Sequence, residues 1–98
     1  MIAPNTTEVD TMIDQIKSTD QQIIEFLLVD LDVALTFMDV ADTTEFRGTA
    51  RRNHSNARNA YEMVVSKLRD VTPTPAQQII FDEKLRTLRV RLEAASAL

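Results

Sequence analysis

The chain has 98 residues, 44% of them apolar and 27% charged, with 11 Lys or Arg, 15 Asp or Glu, one His, one Gly and no Cys. That composition fits one soluble globular domain, long enough to close a hydrophobic core unaided, and it excludes disulfides and thiolate metal sites. The net charge of −4 and the lack of aromatics among the basic residues argue against nucleic-acid binding, which wants a basic surface with stacking platforms.

No segment sustains an alternation of apolar and polar residues, and Gly and Pro are scarce, so helices are expected throughout. The first is a short helix over 8–17, where Val9, Met12, Ile13 and Ile16 form a narrow apolar stripe behind a Thr7 cap. The stripe stops at Ser18-Thr19-Asp20, and Thr19 with Gln22 reads as a capping box, so a break is expected near residue 19. A second helix over 20–42 carries Ile24, Leu27, Leu28, Leu31, Ala34, Leu35, Met38 and Ala41 at helical spacing. It also carries a second apolar set, Phe26, Val33, Phe37 and Val40, on a nearly opposite face, and an acidic strip of Glu25, Asp32 and Asp39. A helix apolar on two faces must be covered on both, by the rest of the chain or by a partner.

A third helix is expected over 44–70, capped within Asp42-Thr43-Thr44-Glu45, with Ala50, Ala57, Tyr61, Val64, Leu68 and Val71 facing inward. Small Ala57 and Ala60 beside Tyr61 let a neighbour approach closely, and Asn53 or His54 fills a gap in the stripe. Thr72-Pro73-Thr74-Pro75 is the clearest loop. Thr74 as N-cap, Pro75 at the first helical position and Gln77 at the third start a fourth helix over 75–96, with Phe81, Leu85, Leu88, Leu92 and Ala95 on its inner face. The expected fold is therefore all-α, a single domain over 1–98, an antiparallel up-and-down bundle of three long helices plus a short N-terminal one. Its expected core contains Leu27, Leu28, Leu31, Leu35, Met38, Tyr61, Val64, Leu68, Phe81, Leu85, Leu88 and Leu92.

Charge is divided along the chain. Residues 1–45 hold one Lys against ten Asp or Glu, while residues 46–98 hold ten Lys or Arg against five Asp or Glu. Short loops make neighbouring helices antiparallel, so Asp32, Asp39 and Asp42 are expected beside Arg47, Arg51 and Arg58. The alternative use of those arginines, with the second apolar set, is an exposed face that recruits a partner.

Catalytic, metal and cofactor sites are not expected. One His cannot build a histidine metal site, the acidic residues recur at seven-residue steps instead of the Glu-x-x-His spacing of carboxylate metal bundles, and no Gly-rich phosphate loop is present. The first ten residues lack a basic stretch followed by an apolar run, so no signal peptide is expected. The longest apolar run, Phe26 to Val29, is too short for a bilayer, which leaves a cytoplasmic location without membrane contact as the expectation.

Two resemblances bear on function. In size and helix content the chain resembles histidine phosphotransfer domains, which would make His54 a phosphoryl acceptor. Their His is followed by an apolar-Lys-Gly sequence, whereas His54-Ser55-Asn56-Ala57-Arg58 has no Lys or Gly at those places, and a structural, partly buried His54 is expected instead. Asn56-Ala57-Arg58-Asn59-Ala60-Tyr61-Glu62-Met63-Val64-Val65, with its Ala-x-x-x-Tyr core after the small and apolar end of Ala34 to Asp42, resembles a tetratricopeptide or microtubule-interacting-and-trafficking hairpin over 34–71. The sequence departs from tetratricopeptides in its longer interhelical stretch, in Val64 where Ala is usual, and in lacking a second repeat. That resemblance implies a helical scaffold that grips a peptide or helix in a groove. The expected function is a small non-enzymatic interaction or assembly module, a possible homodimer or a binder of a partner helix, with Phe26, Val33, Phe37, Val40, Arg47, Arg51 and Arg58 as its contact residues.

Overall fold

In a computed structural model of the chain, the backbone is described for residues 5–98 and the side chains for residues 19–98. Three helices follow one another, α1 Asn5–Thr43, α2 Arg47–Leu68 and α3 Pro75–Ala94, and among the described residues there is no strand. The separate helix expected over 8–17 is not a separate element. The backbone runs as one helix through position 19, and the side chains of Val9, Met12, Ile13 and Ile16 lie outside the described residues. Ser18-Thr19-Asp20 contains neither Pro nor Gly, and three weak helix formers cost at most about 0.7 kcal/mol each. That is small against a helix already propagating on both sides.

The hinge between α1 and α2 also differs from expectation. Thr43 turns its hydroxyl back to the Asp39 carbonyl at 2.8 Å, so it closes α1 and does not open α2. The Thr44 hydroxyl accepts from the Phe46 amide at 3.2 Å. α2 then starts at Arg47 behind Phe46, which offers no side-chain cap. The start of α3 follows the sequence. The Thr74 hydroxyl accepts from the Gln77 amide at 3.2 Å, the Gln77 side chain accepts from the Thr74 amide at 2.9 Å, and Pro75 occupies the first turn. Both later helices end two residues short of their expected limits, at Leu68 and Ala94.

The core forms where the three helices meet. Ile24, Leu27, Leu31, Ala34 and Met38 of α1 are buried with Ala57 and Val64 of α2, Phe81, Leu88 and Leu92 of α3, and Val71 of the connecting turn. Leu28, Leu35, Tyr61, Leu68 and Leu85 pack against this set while remaining half-buried. Ala57 is fully buried, which fits its expected role as a small residue under a close helix contact. No polar or charged residue is buried among those described.

Polar contacts between α1 and α3 rise together along both helices. Gln77 donates to Gln21 at 2.9 Å, Lys84 pairs with Asp32, and Arg91 pairs with Asp39 at 2.9 Å and Asp42 at 2.7 Å. At the other seam, Met63 and Lys67 near the end of α2 face Thr19, Gln22 and Ile23 of α1 across a shared cleft.

Candidate interaction surface

α1 repeats apolar residues with alternating steps of three and four, and it does so in two rows one residue apart. The row Ile24, Leu27, Leu31, Ala34, Met38, Ala41 is the buried one. The row Ile23, Phe26, Asp30, Val33, Phe37, Val40 lies about 100° around the helix and faces outward. Within it Phe26 is 60% exposed, Val33 41% and Val40 39%. Asp30 and Phe37 are the exceptions: both are half-buried, and Phe37 packs on the core. The second apolar set expected on a nearly opposite face therefore flanks the core face, because one residue step turns a helix by little more than a quarter of a circle.

Three further apolar residues belong to this surface and were not singled out by the sequence pattern. Ile23 begins the exposed row, Val29 lies beside it at 59% exposure, and Met63 of α2 forms the opposite wall of an open cleft. The cleft, about 360 Å³, is lined by Thr19, Gln22, Ile23, Phe26 and Leu27 of α1 with Met63 and Lys67 of α2. The signal that finds Ile23 is its place in the three-four repeat. Met63 can be placed only by knowing how α2 lies on α1.

The charge pattern is resolved differently from the sequence expectation. Asp32, Asp39 and Asp42 pair with α3 and not with α2. Lys84 and Arg91 repeat the seven-residue step of Asp32 and Asp39, and both pairs are separated by 52 positions, so two helices running side by side in one sense match in register. Hydrogen bonding to Asp42, then the bond and proximity to Asp39, raises the Arg91 pKa above its ordinary value against the opposing effect of partial burial. Arg47, Arg51 and Arg58 are exposed and form no ion pair among the described residues. The acidic strip of α1 and the arginine face of α2 are thus not brought together.

His54 is half-buried on α2, and its Nε2 is buried without a hydrogen-bond partner among the described residues. Among those residues no group of three or more His, Cys, Asp or Glu is placed to hold a metal, and no helix is long and apolar enough to cross a membrane. Comparison of the chain with protein-family models, with curated proteins and with solved structures finds no match.

Proposed function

We propose that the chain is a small, non-enzymatic helical interaction module of the cytoplasm, an antiparallel up-and-down bundle that uses the outer row of α1 to bind another helix. The observation that carries this reading is the exposure of Phe26, Val33 and Val40 in one row beside an apolar cleft. Exposed apolar residues gathered on one helix face cost solubility unless a partner covers them, and such patches mark interfaces. Helix-in-groove recognition reads anchors at this three-four spacing. Arg47, Arg51 and Arg58, exposed and without an ion pair among the described residues, offer a second, charged contact region whose role would be steering. Phosphotransfer through His54 draws no comparable support, since an acceptor nitrogen must be open to an incoming phosphoryl group and Nε2 is buried.

The test is capture by a tagged form of the protein expressed in its own cells, with untagged copies of the same chain scored alongside other proteins. Phe26→Asp is expected to remove the captured species while circular dichroism keeps its helical signal, and Arg86→Ser on the outer face of α3 is expected to leave capture unchanged. Capture that is indifferent to Phe26→Asp would overturn the assignment of this face. Phe37 is the poorer probe, because its contact with the core makes loss of fold and loss of binding hard to separate.

A further inference from the structure

The outer row of α1 does not begin at Ile23. Read toward the N-terminus in the same alternating steps, it continues through Thr19, Ile16, Met12 and Val9, so that positions 9, 12, 16, 19, 23, 26, 30, 33, 37 and 40 form one unbroken heptad pattern along a single helix. The buried row continued the same way meets Asp20, Lys17, Ile13 and Asp10, and so loses its apolar character. The apolar residues of the first half of α1 are therefore in phase with the exposed row. A strict seven-residue repeat of this kind is the pattern of a left-handed coiled-coil seam. It spans about 47 Å at the helical rise.

We propose that this seam is occupied by α1 of a second copy of the chain, packed antiparallel. This rests on the reading of the outer row as an interface and names its occupant. Length is the first argument. α2 and α3, of 22 and 20 residues, are shorter than the repeat, whereas the 39-residue α1 matches it. Charge is the second. Acidic helices repel unless their charges are kept off the seam, and here the flanking positions Gln15, Gln22, Val29, Thr36 and Thr43 on one side and Ile13, Leu27, Ala34 and Ala41 on the other are neutral, leaving Asp20 as the one flanking acid between them. Glu25, Asp32 and Asp39 fall on the strip toward α3, where Asp32 and Asp39 are paired.

Direction and register follow from the two polar positions in the seam, Thr19 and Asp30. A parallel pair would set Asp30 against Asp30 of the second copy, two like charges in one layer. An antiparallel pair in which position i meets position 49 − i sets Asp30 against Thr19 instead. The same register sets Ile23 against Phe26, Ile16 against Val33, Met12 against Phe37 and Val9 against Val40, apolar against apolar in every remaining layer. Reciprocal pairing of this kind is what a two-fold interface requires. A polar residue at a seam position lowers stability but fixes register, and Asp30 has that role.

The chain has no Cys, so engineered thiols report without background. Thr19→Cys and Asp30→Cys proteins are prepared separately, checked for helix content, mixed at micromolar concentration and oxidised. The mixture is expected to give about ten-fold or more cross-linked dimer than either protein alone, because thiols held across an interface see a far higher effective concentration than colliding ones. Val9→Cys mixed with Val40→Cys is a second pair with the same expectation, which covers loss of association through either polar substitution. Equal cross-linking by each single variant alone would indicate a parallel pair, and no cross-link in either mixture would remove the second copy; each overturns the proposal. Absent cross-links together with capture of a different protein that Phe26→Asp abolishes would refute the self-pairing alone and leave the interface reading standing.

Discussion

The two apolar rows of α1 differ by one residue at every step, yet one is buried and the other is not. Ile24, Leu27, Leu31, Ala34, Met38 and Ala41 meet α2 and α3, while Ile23, Phe26, Val33 and Val40 are exposed and Asp30 is half-buried. Hydrophobicity alone does not separate them, since Phe26 and Val33 are as apolar as their neighbours Leu27 and Ala34. Asp30 does. At the place where the inner row carries fully buried Leu31, the outer row carries a carboxylate, and an unpaired carboxylate cannot be taken into a dry core without a large desolvation cost. The inner row closes the chain on itself, and most of the outer row stays exposed.

The comparison breaks most visibly under truncation of one member of each row. Leu31→Ala is expected to cost about 2–5 kcal/mol, as for other fully buried leucines that leave a cavity. Phe26→Ala should stay within about 0.5 kcal/mol when unfolding is followed at protein concentrations low enough to keep the chain monomeric. Urea titration monitored by circular dichroism reads both. A large loss for Phe26→Ala in the monomer would mean that the outer row is core after all.

A smaller effect sharpens the role of the acidic strip. Half-buried Arg91 touches two exposed carboxylates, so Arg91→Ala is expected to lower stability by about 0.2–1 kcal/mol for each pair lost. The difference from the parent protein should shrink as salt is added. Arg51→Ala, at an exposed side chain with no ion pair among the described residues, should change nothing measurable. An equal loss for Arg51→Ala would restore the pairing of α1 with α2 that the sequence alone suggests.

Local signals in the sequence were legible and relational ones were not. The start of α3 is written in Thr74, Pro75 and Gln77, which satisfy one another within four residues, and it forms as expected. The inner row is legible because a single helical period picks out Leu27, Leu31 and Met38. Thr19 and Gln22 carry the spacing of a capping box, but a cap forms only where the backbone has left the helix, and nothing at positions 18–20 makes it leave. A break placed at residue 19 cuts the outer repeat in two and hides its continuity from Val9 to Val40. The partner of Asp32 and Asp39 was unreadable for another reason. Chain proximity favours the arginines of α2, whereas register favours Lys84 and Arg91 of α3, and register is set only when all three helices are packed.

Pairing of two copies through the outer row of α1 makes the average mass depend on concentration. Sedimentation equilibrium of the purified protein across a micromolar concentration series tests it most directly. The average mass is expected to climb from that of one chain toward that of two, with Phe26→Asp held at the single-chain value and its helix content intact. A mass that stays at one chain throughout the series would contradict it.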